Sequence, residues 1–155
     1  MNTTVLILFV EGLSDDLFVN NAVKKMKPNT CIKVYEYAEK RKKYTTNYIK
    51  ALNKMYNNNT GIHYLFLADN DSCIYPNQKI GIIANSYPDI LMENIVIVEN
   101  EIESWYMAGL DRKACKKLKI KWEEDPDNVT KEIFKKSLGR RNRLEICPKF
   151  FPITR

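Results

Sequence analysis

Four short runs of apolar, largely β-branched residues constrain most strongly what this chain can fold into. They are Val5–Val10, Cys31–Tyr37, Ile62–Ala68 and Ile95–Val98. A strand with one wet face alternates apolar and polar residues, whereas runs this continuous fit strands covered on both faces. The segments between them carry helical spacing. Ser14 or Asp15 is placed to cap a helix running to about Lys27, with Leu17, Phe18, Ala22, Val23 and Met26 on one side. A second helix is predicted over Lys42–Tyr56, with Tyr48, Leu52, Met55 and Tyr56 inward, and a short one from Pro76 to about Ser86. Glu99–Gly109 reads as helical, with Ile102, Trp105, Tyr106 and Leu110 spaced for burial. Asp111 is placed to cap a further turn or two ending near Leu118. Asp125-Pro126-Asp127 opens a last helix with Val129, Ile133, Phe134 and Leu138 inward.

Strands alternating with helices imply βαβ units. The expected fold is α/β: a Rossmann-like, mainly parallel four-stranded sheet with helices on both faces. Residues 1–110 form the core, and residues 111–155 form a small helical extension packed on it, within a single domain. The 155 residues suit that size.

Several function classes drop out. No stretch approaches the roughly 20 apolar residues that span a bilayer, and the first apolar run is too short for a signal peptide. A cytoplasmic protein with no membrane partner is the expectation. Cys31, Cys73, Cys115 and Cys147 lie far apart without a C-x-x-C pair, so they read as scattered buried thiols rather than a zinc site. Any Ser-His or Cys-His catalyst would have to use His63, the lone histidine, which adjoins an apolar run. There is no G-x-x-x-x-G-K-[ST] loop for a nucleoside triphosphate and no G-x-G-x-x-G after the first strand for a dinucleotide. The formal charge of +6 is compatible with a polyanionic partner. Basic residues cluster at Lys40, Arg41, Lys42 and Lys43, and again at Arg140 and Arg141.

In a doubly wound sheet, ligands bind beyond the carboxyl ends of the strands, where strand order reverses. Here the first strand ends in Glu11-Gly12-Leu13-Ser14-Asp15 and the third in Asp69-Asn70-Asp71. The fourth ends in Glu99-Asn100-Glu101-Ile102-Glu103. The second supplies Glu36 and Glu39, a weaker case. Taken singly, Asp15, Glu99 and Asp111 are ordinary helix-start residues. Taken jointly, acids gathered at one edge repel unless something compensates. Carboxylate oxygens suit Mg²⁺ or Mn²⁺. An extended backbone would also point Asp69 and Asp71 to one side.

Val10-Glu11-Gly12-Leu13-Ser14-Asp15 resembles the E-G-x-x-D opening of Toprim domains, and Phe66-Leu67-Ala68-Asp69-Asn70-Asp71 resembles their hydrophobic strand followed by D-x-D. Glu101–Ala108 is similar to an E-x-E-x-W helix of small stand-alone Toprim-like proteins near the overcoming-lysogenization-defect (OLD) nucleases. The likeness covers about residues 4–110. It departs where Ser72-Cys73 follow the D-x-D, since many Toprim motifs continue towards a glycine. These 155 residues do not hold the ATPase domain of OLD enzymes, so a partner ATPase or a homo-oligomer is the corresponding expectation.

The resemblance implies a Mg²⁺- or Mn²⁺-dependent nuclease on DNA or RNA. Glu11, Asp69 and Asp71 would hold one or two ions, and Asp15 with Glu101 or Glu103 would complete a second site. Glu11 would also orient or deprotonate water. OLD-like enzymes place a lysine from a later helix beside the metals, which singles out Lys131, with Arg140 next. The alternative is a nucleic-acid-binding or assembly module without catalysis, in which the basic clusters grip phosphates. A phosphohydrolase acting on small molecules is a third reading.

Overall fold

The computed structural model describes residues 4–27, 29–38, 40–58, 60–71, 73–99 and 101–138. Arg140, Arg141, Glu39 and Cys147 lie outside them. The strands are β1 (Val5–Val10), β2 (Cys31–Glu36), β3 (Ile62–Asp69) and β4 (Ile95–Val98). They form one all-parallel sheet in the order β2-β1-β3-β4. The Rossmann-like α/β architecture read from the four apolar runs is therefore the one the chain adopts.

Each central strand feeds both faces, which is why its sequence does not alternate. Ile7 and Phe9 of β1 pack on one side with Tyr64, Phe66 and Ala68 of β3. That side is covered by Ile49 and Leu52 of α3 (Lys42–Asn57) and Ile83 of α4 (Pro76–Ser86). Leu8 and Val10 face the other way, with Leu67, Ile32 and Val19. Phe9 is fully buried among Tyr35, Tyr48, Tyr64 and Phe66, with ring centroids 5.1–5.9 Å apart. Tyr35, Tyr37 and Tyr48 are thus packed, whereas Tyr44 is exposed.

The first helix departs from expectation. Gly12 precedes α1 (Leu13–Phe18) as its cap, and Asp15 sits inside the first turn with its Oδ2 accepting the Gly12 N–H at 2.9 Å. The helix then widens into a π-helical turn over Val19–Val23 before α2 (Lys24–Met26). A π turn holds more residues than 3.6, so positions after it fall off the face that the sequence spacing marks. Met26, expected inward, is 75 % exposed. Met55 and Tyr56 are also exposed, in the last turn of α3. Tyr56 packs edge-on against His63 at the amino end of β3.

Beyond β4, the helix expected from Glu99 starts only at Ile102. Glu101 is still extended (φ −138°, ψ 155°) and caps α5 (Ile102–Ala108). Asp111 caps α6 (Arg112–Leu118) as expected, its Oδ1 accepting the Ala114 N–H at 2.6 Å. The last helix is split. Pro126–Asn128 form a 3₁₀ turn, Val129 turns into the core, and α7 (Lys131–Leu138) begins after Thr130. Ile133, expected inward, is 38 % exposed, while Phe134 is buried and stacks on Tyr106 at 5.7 Å. One apolar cluster runs from Val98 through Ile102, Tyr106 and Cys115 to Val129 and Phe134. It fastens α7 to α5 and so sets α7 beside the carboxyl ends of the strands. No helix among the described residues is long and apolar enough to cross a membrane.

Candidate functional site

The sheet order fixes where a ligand can enter. The chain leaves β1 to form β2 on one side, then returns to form β3 on the other side of β1. The crossover helices diverge above that gap, leaving a crevice at the carboxyl ends of β1 and β3. A cleft of about 460 Å³ lies there. Glu11 and Asp15 from the β1–α1 junction, Asp69 and Asp71 from the end of β3, and Glu101 and Glu103 from the start of α5 all line it. Lys131, the first residue of α7, lines it too. Every carboxylate singled out as a metal candidate thus reaches one cleft, as does the lysine singled out beside them.

The acids are not equivalent. Glu103 is 3 % exposed and Asp15 8 % exposed. Burial, opposed by the Gly12 N–H and reinforced by Glu11 and Glu103, pushes Asp15 up to about 6. Burial, together with Asp15, Glu11, Glu103 and Asp71, pushes Asp69 up to about 7. Desolvation and like charge both disfavour the ionised form, so these carboxyls hold protons that free aspartate would release. Tyr37 is pushed upward, by burial first and by Glu11 among the nearby charges, so its phenol stays protonated. Its ring packs on Phe66 at 4.3 Å.

Several acids are already engaged. Asp15 accepts from Gly12 as described. Glu101 Oε2 accepts the backbone N–H of Lys131, which ties α5 to α7. Asp71 Oδ2 pairs with Nζ of Lys79 on α4. Asp71 does not continue an extended strand, as the D-x-D spacing suggested. Its φ is +50°, a left-handed turn that aspartate tolerates better than most residues. A turn, not strand alternation, brings it to the cleft beside Asp69.

Sequence reasoning missed two residues that hold this turn, one within it and one on α4. Asn70 is buried; its N–H donates to Val98 O at 2.8 Å and its Nδ2 to Cys73 O at 2.9 Å, clamping the turn to β4. Lys79 lies in the first turn of α4, where a cation opposes the helix dipole. The resemblance pointed to a lysine on a later helix and so passed over one on α4.

The basic cluster stands apart. Lys40, Arg41, Lys42 and Lys43 are exposed where the chain passes from β2 to α3. Lys40 shares a shallow depression with Asp16 and Glu36, and Lys42 and Lys43 share another with Asn85 and Pro88. His63 is exposed at the amino end of β3, while the cleft opens at the carboxyl end. Cys31, Cys73 and Cys115 are free thiols, and Cys31 is exposed rather than buried because it opens an edge strand.

Comparison with protein-family models, with curated proteins and with solved structures finds no match.

In kind, the donor set fits a hard divalent cation: carboxylate oxygens from three strand ends, partly desolvated and mutually repelling. The shell is not closed. Among the described residues, no three acidic, histidine or cysteine side chains stand grouped to hold one ion as they lie. Asp71 and Glu101 are each held by a donor of the chain.

Proposed function

We propose that this protein is a Mg²⁺- or Mn²⁺-dependent phosphodiester hydrolase acting on DNA or RNA. The observation that carries the reading is the convergence of six carboxylates and Lys131 on one cleft at the switch point of a parallel sheet. The raised Asp15 and Asp69 carboxyls support it, because a divalent cation relieves the repulsion that holds them protonated. The likeness of the first and third strand ends to Toprim motifs supports it from the sequence side.

Glu11, Asp69 and Asp71 would hold a first ion, and Asp15 with Glu101 or Glu103 would hold a second. Bound there, the ions would supply Lewis-acid neutralisation of the phosphate and ready acidification of water. Glu11 then orients the attacking water or takes its proton. Lys131 reaches the cleft from α7 and offsets the charge that builds on the phosphate in the transition state. The deciding experiment is degradation of labelled DNA and RNA with Mg²⁺, with Mn²⁺ and with a chelator. Cleavage that depends on either ion supports the reading, and cleavage unaffected by chelation contradicts it.

One observation favours a second reading, a nucleic-acid-binding or assembly module without catalysis. Lys79 and the Lys131 backbone already satisfy Asp71 and Glu101 without any ion. Such a module retains nucleic acid in the presence of a chelator and cleaves none. A homo-oligomer or a separate ATPase partner is compatible with either reading.

A further inference from the structure

Lysine side chains are normally the most exposed in a protein, yet that of Lys79 is only 14 % exposed. Its position gives no helix-based reason for a cation, since the first turn of α4 carries positive dipole charge. Its partner is not a distant surface acid. Asp71 lies eight residues earlier, at the rim of the acidic cleft, in a left-handed turn clamped by Asn70. Asp71 itself is 57 % exposed, so the pair is open to solvent on the carboxylate side. A mobile ion can reach that carboxylate without unfolding anything.

We propose that Lys79 is an exchangeable counter-cation for Asp71. It neutralises the carboxylate while the cleft is without metal and gives it up when a divalent cation binds. The inference rests on the metal-binding reading above, and it explains why an acid of the candidate ligand set points at an amine. A divalent cation and a lysine compete for the same oxygen, so removing the amine strengthens metal binding. The change should be about ten-fold, the size of a partly screened charge pair at contact distance.

The test uses the full chain. Mn²⁺ affinity is measured by calorimetry for the wild type, Lys79→Met and Lys79→Arg. In parallel, lysine-labelled protein is titrated with Mg²⁺ and the Lys79 side-chain resonance is followed by NMR, assigned by its loss in Lys79→Met. Tighter Mn²⁺ binding by Lys79→Met but not by Lys79→Arg is expected. The Lys79 resonance should move on adding Mg²⁺, towards the position it takes in metal-free Asp71→Asn. Binding by Lys79→Met alone, with a silent wild type, overturns the exchange, because Lys79 then blocks Asp71 instead of yielding it. If the wild type binds Mn²⁺ but the Lys79 resonance stays fixed, the exchange is overturned and the metal reading stands. The resonance is read in the wild type, so a folding defect in a variant does not spare the proposal. If neither wild type nor Lys79→Met binds Mn²⁺, both the metal reading and the exchange fail.

Discussion

Asp69 and Asp15 bear the electrostatic cost of gathering acids in one cleft. Both bind a proton more tightly in the folded chain than in the unfolded one, rising from 3.8 to about 7 and about 6 respectively. Between about pH 4 and pH 7 the folded state therefore holds the extra protons, and stability falls as pH rises through that window. The metal-free Asp69→Asn variant should lose part of this dependence. Its melting temperature should exceed the wild type's at pH 8 and match it more closely at pH 5. Equal gaps at the two pH values would show that Asp69 is not the strained group. Lys131 makes a different prediction. Lys131→Ala keeps the backbone N–H that holds Glu101, so it removes the ammonium alone. Turnover should drop about 100-fold or more, as on loss of one transition-state donor, with Mn²⁺ affinity unchanged. Unchanged turnover would take Lys131 out of the reaction.

At the scale of elements, the site depends on how α7 is docked. Phe134 anchors it under Tyr106, and Val129 fills the same cluster just before it. Phe134→Ala should cost about 3–5 kcal/mol locally, the range for emptying a buried phenylalanine site. Faster amide exchange in α7 and a lower melting temperature would report it, and unchanged exchange would show that α7 is held by something else. The elements differ in how plainly the sequence announces them. The strands and the acids directly after them are legible because a doubly covered strand must be continuously apolar, and Glu11 and Asp69 stand where that run stops. The π turn at Val19–Val23 is not legible, because helical spacing assumes a constant period. The Lys79–Asp71 pair is hidden because it depends on the left-handed turn at Asp71. The late start of α5 is hidden because Glu101 spends its backbone on a cap, where a run of acids looks helical.

For the molecule as a whole, the charge is divided by place. The chain carries a net +6, yet among the described residues the crevice at its switch point is lined by six acids and one lysine. A net positive charge favours a polyanion in general, whereas an acidic crevice without cations disfavours one. The proposed activity requires metal binding at this crevice. That binding is tested most directly by thermal unfolding of the wild type and Asp69→Ala across a Mn²⁺ titration. A ligand that binds only the folded state at about 100 times its dissociation constant adds about 2.7 kcal/mol, or about 5–10 °C for a chain this size. The wild type should show that rise. Asp69→Ala, which starts level or slightly more stable without metal, should show none. A wild type whose melting temperature does not move with Mn²⁺, or an Asp69→Ala variant that moves equally, would contradict the account.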